Sequence, residues 1–164
     1  MTAAAVAMTS PEAASTVAVD SLVLGQVQVP VTSVFYFANG LHGFETHFEF
    51  ALVPAAREGL FWLQSLTSRD VVFLLIDPFV AVPGFEVDLG VTESAQLKLD
   101  NPMDVLVFAI VTLPAGNVGS PTANFRGPIV LNARARVASQ IMSAVPGHEV
   151  RTPVDLHALP ARAE

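Results

Sequence analysis

The chain has no cysteine, so disulfides, thiolate metal sites and cysteine nucleophiles are all excluded. Charge is also scarce: 14% of the 164 residues are charged, against 52% apolar. That balance excludes intrinsic disorder, because the chain has ample apolar surface to bury against its conformational entropy. Long hydrophobic runs are missing. The most apolar, Val105 to Pro114, is about half of the roughly 20 residues a membrane-crossing helix needs. The N-terminal stretch MTAAAVAMTSPEAAST has neither a basic start nor a sustained apolar segment, so it reads as an Ala-rich flexible tail over residues 1–16 and not as a secretory signal. Basic residues are few, 8 against 15 acidic, for a net charge of −7. An acidic domain repels a phosphate backbone, which argues against direct nucleic-acid binding and for protein partners. Together these absences predict a cytoplasmic protein with no membrane association.

What is present is strand signal. The length suits one domain, expected over residues 17–156 between flexible ends at 1–16 and 157–164. Val19–Val29 alternates in part and reads as a strand closed by Pro30, followed by the β-branched and aromatic Val31–Phe37 and an Asn39-Gly40 turn. In ETHFEFALV, Phe48, Phe50 and Leu52 share one strand face and Glu45, His47 and Glu49 the other. Phe61–Leu66 and Val71–Ile76 flank a polar turn and read as a hairpin. Phe85, Val87 and Leu89 alternate with acids as a further strand. A short helix is predicted over Thr92–Leu99 with Thr92 as N-cap, stopped by Asn101-Pro102. Asp104–Leu113 reads as a central strand buried on both faces. Ile129 leads into a last strand that carries Arg134 and Arg136 on its solvent side and extends towards Met142. The expectation is an all-β fold, a compact single-domain β-barrel-like structure with one or two short helices.

The motifs of the common enzyme classes are missing: no glycine-rich phosphate loop, no GxSxG, no HExxH. His42, Glu45, His47 and Glu49 could in principle hold a metal. Alternate strand residues are about 6.6 Å apart, wide for one small ion, so a solvated polar face is the better reading. Asp77, before Pro78, reads as a turn element, its side chain bonded to nearby backbone, with no nucleophile beside it. Neither a cofactor nor a metal site is expected, and the chain is read as a non-enzyme. Phe79 and Phe125 lie in Pro/Gly-rich segments, each a core plug or an exposed anchor, with core the default. Arg126, Arg134 and Arg136 form the densest basic group, suited to a small contact zone for a carboxylate-bearing partner.

Several short motifs, in order across about a hundred residues, resemble the FliW family of flagellar assembly factors: GLHGFE (Gly40–Glu45), WLQS (Trp62–Ser65), FLLIDPF (Phe73–Phe79), PGFEVDL (Pro83–Leu89), DVLVFAIVTLP (Asp104–Pro114) and TANFRGPIVLNARAR (Thr122–Arg136). His42 departs from the family's usual proline, which is expected to loosen that turn. Val137 and Ala138 replace a more polar pair, whereas Gln140 is kept, and Val145–Leu156 follows the pattern loosely. The resemblance implies a non-catalytic partner switch that binds flagellin and also binds the RNA-binding regulator CsrA, freeing flagellin translation from repression once flagellin is exported. The expected partner surface comprises Asn124, Phe125, Arg126, Asn132 and Arg134, with Asp77 and Phe79 beside them, on a chain monomeric when free. Phe125→Ala with Arg126→Ala is accordingly expected to weaken partner binding with little loss of melting temperature. The competing reading is a small-molecule-binding β-barrel module, which would need a large internal pocket.

Overall fold

The computed structural model describes residues 15–162, without the side chain of Asn117. Ten strands follow in chain order. A separate hairpin, β1 (Thr16–Ser21) and β2 (Gly25–Pro30), precedes β3 (Val34–Phe37), β4 (Glu49–Pro54), β5 (Leu60–Ser65), β6 (Val72–Ile76), β7 (Val105–Thr112), β8 (Thr122–Asn132), β9 (Val137–Gln140) and the short β10 (Thr152–Pro153). Neighbours from β3 to β8 pair antiparallel in sequence order. β9 then pairs antiparallel with β8 and parallel with β3, closing a seven-strand barrel. The parallel seam is only two residue pairs long, Tyr36 with Val137 and Phe37 with Ala138.

The period-two alternation decides what fills the barrel. Phe35, Phe37, Phe50, Leu63, Leu75, Phe108, Ile129 and Leu131 point inward and pack together, with Leu41 closing one end. Phe37 meets Phe50 edge-on at 5.1 Å, and Phe61 meets Phe108 at 4.9 Å. The interior is therefore filled by packed side chains, which argues against the large internal pocket that a ligand-carrying barrel requires.

A second core lies outside the barrel wall. Leu74, Ile76, Val107, Ala109, Val111 and Val130 face outward beneath two short helices, α1 (Pro78–Ala81) and α2 (Val91–Gln96), and the C-terminal segment. This is why β7 is apolar on both faces, as its sequence predicted: Phe108 enters the barrel while Val107 and Ala109 lie under the outer layer. The β1–β2 hairpin covers a third patch, with Val19 and Val29 on Ala51 of β4. No helix among the described residues is long and apolar enough to cross a membrane.

Several elements differ from expectation. Val19–Val29 is not one strand, because Ser21 Oγ accepts from the backbone N–H of Val23 and Leu24 and Gly25 takes a left-handed φ of 73°, folding a tight turn. Val31–Ser33 forms a 3-10 turn before β3. Phe48 precedes β4 and stays outside, stacked on Tyr36. Residues 85–89 form no strand, although Phe85, Val87 and Leu89 pack on the outer core. The α2 helix starts on Gly90 without a side-chain cap, so Thr92 is not its N-cap. Arg134 and Arg136 lie in a turn between β8 and β9 and not along a strand.

The expected flexible ends fare differently. Residues 1–14 and 163–164 lie outside the described residues, but Thr16 already belongs to β1 and residues 157–162 are docked on the barrel. Arg57 Nη1 donates to Leu159 O at 2.7 Å. In return Arg162 donates to Ala55 O, Arg57 O and Leu60 O, and its guanidinium sits 4.9 Å from the centroid of the Phe61 ring. Leu159 is buried in the outer core, so this strap is part of the fold.

Candidate partner interface

The GLHGFE turn shows how local chemistry positions one end of the barrel. Gly40 has φ 62°, and a Cβ there would come within 2.5 Å of Phe44 O, so only glycine fits. Glu45 Oε2 accepts from Gly43 N at 2.9 Å. The His42 backbone N–H donates to Gln140 Oε1 at 3.0 Å, and Gln140 Nε2 donates to Gly127 O. A proline at 42 could not make that bond. The departure from the family pattern thus ties the turn to β9 and β8, contrary to the expected loosening. The bond from Gly43, then Glu45's own backbone N–H, then the His42 charge hold the exposed Glu45 carboxyl below its ordinary value of 4.5. A depressed folded value means that the carboxylate's contribution to the turn is present above the ordinary value and lost as pH falls through the lowered one. NMR titration should show the Gly43 amide shifting with a midpoint below 4.5, and Glu45→Gln should abolish that transition.

The four residues of the suspected metal cluster do not converge. Residues 45–46 are a turn and His47 follows it outside any strand, its ring bonding Ser65 Oγ at 2.9 Å and Thr67 Oγ1 at 3.2 Å. No group of three or more His, Cys, Asp or Glu among the described residues could hold an ion.

The seven expected contact residues divide between the two ends of β8. At the first end, Asp77 N-caps α1, accepting from Phe79 N at 2.9 Å. Phe79 is half exposed and meets Phe85 edge-on at 5.4 Å. Phe85 in turn packs on Phe125 at 5.7 Å and stacks on the His148 ring at 4.7 Å. Asn124 Oδ1 accepts from Arg126 N and Gly127 N, bending β8 so that its register with β7 breaks between Phe108 and Ile110. Arg126 is thereby left exposed beside the 143–149 loop, whose Ser143 N donates to Arg126 O. At the other end, about 23 Å along a fully extended strand, Asn132 binds the backbone of α2's end and of the 133–136 turn, with Arg134 exposed.

Two expected contacts need correction. Phe125 is 3% exposed and Asn132 also 3%. The bend in β8 turns Phe125 into the outer core, and Asn132 spends its amide on backbone groups, so neither side chain can touch a partner directly. The combined Phe125→Ala, Arg126→Ala change is therefore expected to lower the melting temperature, through the lost Phe125 packing. Phe79, Arg126 and Arg134 are exposed.

Sequence reasoning missed a concave surface on the outside of the barrel. A cleft of about 1060 Å³ opens on the barrel exterior, with Leu60, Trp62 and Leu74 as its floor and Leu113, Val154 and Leu156 on its walls. Its sides come from segments 55–57, 113–121 and 153–157, too far apart in sequence to be joined by inspection. The available signals were the only tryptophan, Trp62, and the exposed Leu113 and Val118 in a Pro/Gly-rich loop.

A small closed β-barrel with a filled interior, whose distinctive surfaces are an apolar cleft and exposed aromatic and basic groups, defines a compact scaffold with docking surfaces on its outside. Residues 18–154 match the family model described as FliW protein. The flagellar assembly factor FliW of Treponema denticola is 36% identical over 118 residues, 71% of this chain and 79% of that protein. The protein of the same name from Moorella thermoacetica is 36% identical over 119 residues, 72% and 75%. A crystal structure of the flagellar assembly factor FliW superposes with a TM-score of 0.76 at 25% identity, covering 84% of this chain and 96% of that one. The chain belongs to the FliW family of flagellar assembly factors.

Proposed function

We propose that this chain is a non-catalytic cytoplasmic partner switch, monomeric when free, that binds flagellin as a chaperone and also binds and antagonises CsrA. The observation that carries the reading is the exterior cleft: open, about 1060 Å³ in volume and apolar on its floor, the kind of surface that takes the hydrophobic face of an amphipathic helix. A flagellin helix docked there would cover Trp62 and Leu113. The net charge of −7 complements a basic RNA-binding regulator and discourages RNA itself. A switch of this kind needs two negatively coupled binding events and no chemistry. While flagellin occupies the factor, CsrA stays free to repress translation; when flagellin leaves by export, CsrA is captured and repression lifts.

Calorimetry against flagellin and CsrA from the same organism tests the reading. Tight one-to-one binding of flagellin that weakens CsrA binding is expected, whereas binding of neither would refute the switch. Leu113→Glu with Val118→Glu places two charges at the cleft and on the exposed loop beside it. This variant should weaken flagellin binding by at least about tenfold, since each desolvated charge opposes docking, with the melting temperature unchanged. Unaltered binding would exclude the cleft as the flagellin site.

A further inference from the structure

Among the described residues, the two non-glycine residues with positive φ are both cations. Lys98 (φ 56°) follows α2, and Arg136 (φ 58°) closes the turn between β8 and β9. L residues are penalised in this region, which glycine occupies freely. Both positions belong to one corner of the molecule, because Asn132 joins them. Its Nδ2 donates to Lys98 O at 2.9 Å and its backbone carbonyl accepts from Arg136 N at 2.7 Å. Tyr36 N donates to Arg136 O at 2.9 Å and brings β3 to the same place. Lys98, Arg134 and Arg136 are exposed, and none forms an ion pair among the described residues, where the recorded pair is Arg69 with Asp20.

Beside these cations a groove of about 390 Å³ lies at the barrel seam, lined by Tyr36, Ala38, Asn39, Leu97 and Val137 with Lys98 at its margin. Tyr36 is 48% exposed and stacks on Phe48, 41% exposed, with ring centroids 6.3 Å apart. The corner therefore combines an apolar slot, an aromatic wall and a cationic rim, on a chain whose net charge is −7.

We propose that the seam groove docks an acidic segment of a partner protein, which inserts one aliphatic or aromatic side chain into the slot and sets its flanking carboxylates against Lys98, Arg134 and Arg136. Charge complementarity selects the occupant: Lys98, Arg134 and Arg136 outnumber Asp104, whose backbone carbonyl accepts from Ala133 N in the same turn, so the corner attracts carboxylates although the domain is acidic overall. At about 390 Å³, well below the exterior cleft, the slot is scaled to a side chain more than to a helix. The strained backbone at Lys98 and Arg136 fits the same role, since a turn serving only the fold would be served better by glycine. This inference stands apart from the flagellin and CsrA reading and survives its failure.

The test titrates the isotope-labelled full chain with a blocked pentapeptide of four glutamates around a central leucine, alongside its lysine counterpart and a single-stranded oligonucleotide. Amide shifts at Tyr36, Ala38, Asn39 and Ser139 are expected with the acidic peptide only, weakening as salt rises. Lys98→Gly with Arg136→Gly should cut its affinity about threefold to tenfold, the loss expected for two exposed ion pairs, while the melting temperature holds or rises as the backbone relaxes. A higher melting temperature with unchanged affinity would show a merely structural corner and overturn the proposal. So would absent or displaced shifts, stronger binding of the lysine peptide or the oligonucleotide, or seam shifts that appear on self-association without peptide.

Discussion

Phe50→Ala should remove about 3–5 kcal/mol of stability, the range for emptying a large aromatic site in a core that cannot collapse around it. Phe50 is fully buried inside the barrel, edge-on to Phe37 at 5.1 Å and tilted against Phe73 at 6.2 Å. A closed barrel is held by hydrogen bonds around its whole circumference, so its wall cannot move inward to fill the void. Against a typical total of 5–15 kcal/mol the loss is a large share of the whole. Urea denaturation should show the midpoint falling at constant slope, and Phe50→Leu should recover most of the difference by restoring volume. A loss below about 1 kcal/mol would mean that the interior is not packed as described.

Asn132→Ala should cost about 2–4 kcal/mol, because its amide satisfies four backbone groups at once and their loss is only partly made good by water. Nδ2 donates to Leu97 O at 2.8 Å and Lys98 O at 2.9 Å, and Oδ1 accepts from Arg134 N and Ala135 N, both at 3.0 Å. One side chain thus fixes the end of α2 and the β8–β9 turn on which the barrel seam depends. Asn132→Asp separates the two halves: it keeps both acceptor bonds but turns a carboxylate towards the Leu97 and Lys98 carbonyls. Hydrogen exchange should report faster opening of residues 97–99 in both variants, with the 134–136 amides spared in the aspartate variant. Uniform destabilisation without that local signature would contradict the bridging role.

The barrel staves were legible because apolar patterning, alternating or continuous, is a local property. Phe73–Ile76 and Asp104–Leu113 announce their burial in consecutive residues, and the turn chemistry around residues 67–70 places the hairpin. Asn132 was legible as an unusual position but not as an interior one, and for the Phe79 and Phe125 pair the default core reading holds for Phe125 and fails for the half-exposed Phe79. Whether Phe125 faces out or in depends on the bend made by Asn124, two hydrogen bonds that composition cannot reveal. The C-terminal strap looked like a flexible tail because its anchors, Arg57 and the backbone around residue 60, are about a hundred positions away.

The sequence by itself determined an all-β domain, most of its main strands and its place in the FliW family, since periodicity, turn residues and short motifs are read over a few neighbours. Only the tertiary structure decided the parallel closure of β3 on β9, the division of β8's residues between core and surface, and both concave surfaces. Each of these is made where segments distant in sequence meet, and such meetings are set by the packing of the whole chain and not by any one stretch of it.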